Sequence, residues 1–189
     1  MAWFGFLRSR RHERAGYLLY GAAVAAARAP LFYQPATIGE PGGLGVPDTL
    51  DGRFDMVGVF VFLLIHRLGA LAKPGPDLAQ AVFDAMFNDM DINLREMGVG
   101  DLSVGRRVRT MWEAFHGRSA VYAAALAASD ADGLAAALAR NVWRGKPGGG
   151  ADALARLIMA QDAHLAAQGL PALLRGEVDF LPDAAVLAA

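Results

Sequence analysis

Between Ala79 and Leu126 apolar residues recur at three- and four-residue steps twice in succession, and no other feature of the chain restricts its fold so strongly. Val82, Phe83, Met86, Phe87, Met90, Leu94 and Met97 keep to one stripe of an α-helix, whereas a strand would scatter them over both faces. Asp84, Asn88, Asp89, Asp91, Asn93, Arg95 and Glu96 fill the opposite face, and Asp91 stands four residues before Arg95, the favourable order for an exposed ion pair. A second stripe runs through Val104, Val108, Met111, Trp112, Phe115, Tyr122 and Leu126, flanked by Arg106, Arg107, Arg109 and Arg118. Gly98 and Gly100 suit a left-handed C-cap, and Asp101 or Ser103 can accept the orphan amide hydrogens that open the next helix. The pattern predicts a central antiparallel helical hairpin with one acidic and one basic arm and both stripes buried, Phe87 and Trp112 among the core residues.

The rest of the chain reads as helices gathered on this hairpin. Tyr17, Tyr20, Gly21, Val24 and Arg28 form a first helix that Pro30 ends, and an irregular surface loop rich in Gly and Pro runs from Leu31 to about Val46. The most apolar run, Met56 to Ile65, continues through Leu68 and Leu71 and falls well short of the roughly 20 residues that span a bilayer, so it is read as a buried core helix. Ser129 or Asp130 caps a helix through Leu134, Leu138 and Val142, and another carries Leu154, Leu157, Ile158, Gln161 and Leu165 to Gly169. Residues to Phe180 and Pro182 pack as turns. The expectation is an all-α, single compact multi-helix domain over residues 15–182, preceded by an aromatic and basic segment (1–14) and followed by a tail (183–189). The hydrophobic share of 54% fits this, because much of it is alanine, which promotes helix without demanding deep burial.

Trp3, Phe4, Phe6 and Leu7 precede Arg8, Arg10, Arg11 and Arg14, the reverse of a secretory signal, whose charge comes before its apolar run. The protein is therefore placed in the cytoplasm, where this segment suits either peripheral contact with an anionic membrane surface at its inner face or docking onto its own domain.

Few kinds of chemistry survive inspection. A formal net charge of -1 and the lack of any recognition module argue against nucleic acid. The absence of cysteine removes disulfides and thiol nucleophiles together. Asp89, Asp91 and Asn93 have the spacing of a calcium loop, but Leu94 stands where its glycine belongs and Gly100 where its bidentate glutamate belongs. The same acids suit one half of a magnesium–diphosphate site, with no second aspartate-rich helix to face them. His12, His66, His116 and His164 lack paired metal spacing, and no serine or lysine sits in a nucleophile motif. The reading has no catalytic residue, no metal and no cofactor, and is of a binding protein. A small all-helical isoprenoid- or lipid-binding protein or enzyme is the alternative.

Two charged groups remain as candidates for partner binding. Arg106, Arg107 and Arg109 lie on the second arm; Arg106 and Arg107 fall in its first turn, where the helix dipole disfavours cations by roughly 0.3–1 kcal/mol each, so Asp91, Glu96 or an acidic partner should compensate. Asp48, Asp51, Arg53 and Asp55 precede or begin the core helix and are expected to form one local charged cluster, with Asp51 a possible helix cap.

Several stretches are similar to the ubiquinol–cytochrome c chaperone family. They are Leu19-Tyr20, Ala27-Arg28-Ala29-Pro30, Phe32-Tyr33, the run from Val46 to Asp55, Phe83-Asp84, Asp89-Met90-Asp91, the run from Leu94 to Gly105, Gly117-Arg118, Tyr122 and Arg140-Asn141. The resemblance covers about Tyr17 to Trp143 in one order. It implies an all-helical chaperone that binds the cytochrome b apoprotein and assists its incorporation into the bc1 complex of the respiratory chain. It admits, without implying, a small partner chaperone of the kind with which the mitochondrial members act near the ribosome. A client with membrane helices would need an apolar groove with a charged rim.

Overall fold

A computed structural model describes residues 2–35, 43–145 and 150–182, and among these there are helices and no strand. In chain order they are α1 (Ala2–Ala27), α2 (Pro30–Tyr33), α3 (Leu50–Gly69), α4 (Gly75–Glu96), α5 (Asp101–Ala127), α6 (Ala131–Val142), α7 (Ala151–Ala166) and α8 (Leu170–Leu173).

α3 is the helix the others surround. It buries Met56, Val59, Phe60, Leu63, Leu64 and Leu68, and a helix apolar on so many sides is stable only when covered all round. Thr49 caps it by accepting from the Gly52 amide at 3.1 Å, so the cap is not Asp51. α1, α4 and α7 pack directly on α3. Phe60 meets Phe32 of α2 and Phe180 near the carboxyl end, with ring centroids 5.8 and 5.3 Å away.

The principal partner of α4 is α1, a departure from the expected hairpin core. The buried face of α1 is Ala15, Leu19, Tyr20, Ala23 and Ala27, while Tyr17 is exposed. A side chain on Gly16 would meet the Ala81 backbone carbon at 2.7 Å, so a stripe of small residues lets the two helices approach closely. Alanines from several helices are thus core residues here. α1 is continuous across the expected boundary at residue 14. The side chains of Trp3, Phe4, Phe6, Leu7, Arg8, Arg10 and Arg11 lie outside the described residues.

Pro30 starts α2 rather than an irregular segment, since its fixed φ and missing amide hydrogen are tolerated in a first helical turn. The loop after it is not wholly superficial. Leu44 and Val46 are buried, and their amides donate to Leu31 and Phe32 carbonyls at 3.0 and 2.9 Å. Residues 36–42, the Gly- and Pro-rich part of the expected loop, lie outside the described residues.

Gly98, at φ +79, turns α4 towards α5, and Asp130 caps α6 by accepting from Gly133 at 2.8 Å. α6 and α7 pack on one another through Leu134, Leu138, Leu154 and Ile158. Beyond α8 the chain is held by two glutamine side chains. Buried Gln161 donates to the Leu181 carbonyl and accepts from its amide, both at 2.9 Å, and Gln168 makes the corresponding pair with Asp179. Residues 174–176 form turns as expected, and residues 177–182 run on as a strap without helix or turn.

Candidate functional site

α5 does not lie flat on the body of the protein. Val104 near its start and Tyr122 and Ala125 near its end are buried, but Met111 and Phe115 between them are only half-buried and Trp112 is 44% exposed. The sequence stripe is real, yet its middle is only partly covered, and Trp112 lies outside the core; Phe87 is half-buried. Phe83, Phe87, Phe115 and His116 make the contact between the hairpin arms, and the Phe87 and Phe115 rings meet edge-on at 6.4 Å.

A groove of about 680 Å³ lies between α5 and the surface of α1, α3 and α4. α4 supplies Met86, Met90 and Leu94, with Met97 just past its end; α3 supplies Phe54, Val57 and Gly58; α5 faces them with Met111, Ala114 and Phe115. Unbranched thioether side chains repack around varied apolar shapes, so this lining is adaptable. Tyr20 and Val24 of α1 close the far side. A second depression, about 850 Å³, lies between α1 and α4, and its lining is more polar, with Glu13, Lys73, Asp77, Gln80 and Asp84 beside Tyr17, Ala81 and Ala85.

At one point of the groove wall Asp55 is almost fully buried and two arginines converge on it. Arg118 of α5 donates to its Oδ1, and Arg144, just beyond α6, donates to Oδ2 at 2.8 Å. Burial pushes the Asp55 carboxyl above the usual carboxylate range, against the pull of both guanidinium groups. This network ties α3 to α5 and to the end of α6. It also corrects the expected local cluster: Asp55 turns inward, one turn along the helix, while Arg53 pairs with Asp48 at 2.5 Å and lies over the Tyr33 ring at 5.2 Å. That pairing holds the Asp48 carboxyl below its usual range. Tyr20 donates to Asp89 at 2.7 Å, linking α1 to α4, and burial followed by this bond raises the phenol's pKa.

The other sequence candidates separate. Arg106, Arg107, Asp51 and Arg53 line the groove, whereas Asp48 and Arg109 do not. Arg109 pairs with Glu113 at 3.0 Å on its own helix. Because α5 begins at Asp101, Arg106 and Arg107 stand in its second turn, where the dipole penalty expected of a first turn has largely decayed. Neither Asp91 nor Glu96 reaches them: Asp91 holds Arg95 at 2.6 Å, and Arg95 also binds Asp101. Sequence reasoning overlooked the pairing of Asp55 with Arg118 and Arg144. An aspartate one residue before the apolar run and an arginine on the second arm were its available signals, but the register between α3 and α5 was not.

Among the described residues no group of three or more His, Cys, Asp or Glu could hold a metal ion, and no described helix is long and apolar enough to cross a membrane.

A family model described as ubiquinol–cytochrome C chaperone matches residues 43–180. Among solved structures, the crystal structure of the Cbp3 homolog from Brucella abortus is similar to this fold with a TM-score of 0.81 and 34% sequence identity, covering 97% of this chain and 98% of that one. No match was found among curated proteins.

Proposed function

The chain belongs to the ubiquinol–cytochrome c chaperone family, and from that premise we propose that the α5 groove receives an apolar segment of newly made cytochrome b and holds it for incorporation into the bc1 complex. One observation carries the reading: Met111 and Phe115 of α5, Phe54 and Val57 of α3 and Met97 just past α4 are only partly covered and line one groove that also carries arginines. A helix leaving the membrane-protein synthesis machinery must hide its apolar face, and a groove of this kind gives it a surface to bury against. No chemical step is part of the proposal; the site offers burial and charge.

Ala114 provides the test, because it lies in the groove wall and a large ring there would take up part of the cavity. Ala114→Trp should lower co-purification of cytochrome b about tenfold, a loss of roughly 1.4 kcal/mol of binding. Ala120→Trp, on an exposed position of the same helix, should leave it unchanged. Equal capture by both variants and the parent would contradict the groove as the client site.

A further inference from the structure

The rim of the groove is unequal in charge, and its arginines are not equivalent. Six arginines and three aspartates line it in a chain whose formal net charge is -1. Arg118 and Arg144 are committed to Asp55, and Arg53 to Asp48. On α5, Arg109 pairs with Glu113 and is not part of the groove lining, whereas Arg106 and Arg107, like Arg28 just past α1, line it and find no ion-pair partner among the described residues. Arg106 and Arg107, neighbours in sequence, stand with Thr110 on the same lining as Met90, Leu94, Met111 and Phe115.

Resting on the groove as the client site, we propose that it reads charge as well as apolarity: it takes an apolar helix carrying an aspartate or glutamate in its end turn, seated on Arg106 and Arg107. An occupant that covers these arginines strips water from both. A wholly apolar segment would leave two guanidinium groups desolvated and unpaired, and a lysine-bearing one would add repulsion. A carboxylate restores both losses, because guanidinium presents paired N–H donors that match its two oxygens. The rim thus discriminates by penalising the wrong segment as much as by attracting the right one.

The test uses three fluorescently labelled leucine–alanine helical peptides that share one apolar face and carry Asp-Asp, Asn-Asn or Lys-Lys in the end turn, titrated with the full chain. The Asp-Asp peptide should bind about tenfold more tightly than Asn-Asn, with Lys-Lys weakest, and the advantage should shrink as salt rises. Arg106→Gln with Arg107→Gln should bind Asp-Asp and Asn-Asn alike, at the parent's Asn-Asn affinity, whereas Arg109→Gln should keep the parent's order. If the glutamine pair melts early, Arg106→Lys with Arg107→Lys, which keeps charge but not the paired donors, should show a reduced preference. Equal binding of Asp-Asp and Asn-Asn by the parent would overturn the charge reading and leave the groove standing. Failure of the parent to bind any peptide, or binding indifferent to Ala114→Trp, would overturn the groove itself.

Discussion

Arg144 donates to the buried carboxylate of Asp55 at 2.8 Å, joining the chain beyond α6 to the second turn of α3 across 89 residues of sequence. Arg118 takes the other oxygen from α5, so a single aspartate holds the three elements that frame one end of the groove. Removing one partner of a fully buried charge pair costs about 3–5 kcal/mol. Here both arginines retain solvent contact and can rehydrate, so Asp55→Ala should cost less, about 2–3 kcal/mol in denaturant unfolding. A loss under about 0.5 kcal/mol would show that α5 is positioned by packing alone.

The same carboxyl gives a pH signature. Burial raises its pKa in the folded chain, so between the ordinary carboxylate value and the raised one the native state holds the proton that the unfolded state has released. Its stability contribution is therefore complete below about pH 4 and declines as pH rises through the folded pKa. The unfolding free energy of the parent minus that of Asp55→Asn should fall as pH rises from about 4 through the raised pKa of the folded chain. A difference that grows over this range would mean that Arg118 and Arg144 outweigh burial.

Two aromatic truncations should part company. Phe60 is fully buried against Phe32 and Phe180, and Phe60→Ala should cost about 3–5 kcal/mol. Trp112 is exposed on α5 and contacts His116 of its own helix, so Trp112→Ala should cost no more than about 1 kcal/mol. Similar melting shifts for the two variants would place α5 flat against the body.

The carboxyl-terminal strap depends on one buried amide. Gln161→Met keeps the volume but deprives the Leu181 amide and carbonyl of their partners, at a cost of about 1–3 kcal/mol. Hydrogen exchange should quicken at Leu181 before the core helices respond. Unchanged protection there would remove Gln161 from this role.

Helix identity was legible where the signal was local. The apolar stripe of α4, the Gly98 turn and the Asp130 cap each follow from a few neighbouring residues. The run from Met56 likewise announced the central helix. What covers each stripe was not legible, because periodicity marks a face as apolar without naming its partner. Hence the cover that α1 gives α4 is not read from the pattern: beside Leu19 and Tyr20 its buried face is Ala15, Ala23 and Ala27, residues that a hydropathy pattern scarcely distinguishes from an exposed helix surface. The middle of α5 was assigned to the core for the converse reason, since Trp112 and Met111 look alike whether covered by the chain itself or left for something else. Arg106 and Arg107 were identified as candidates from their charge, but their separation from Arg109 rests on Glu113 and on the axial rotation of α5.

Site-specific photo-crosslinking during synthesis of cytochrome b tests the central claim most directly. A benzophenone side chain placed at Met90 or Ala114 lies in the groove, and one placed at Ala120 or Glu113 lies on exposed positions of α5 outside its lining. Adducts with newly made cytochrome b should form from Met90 and Ala114 and not from the other two. Adducts confined to Ala120 and Glu113 would place the client on the outer face of α5 and contradict the groove.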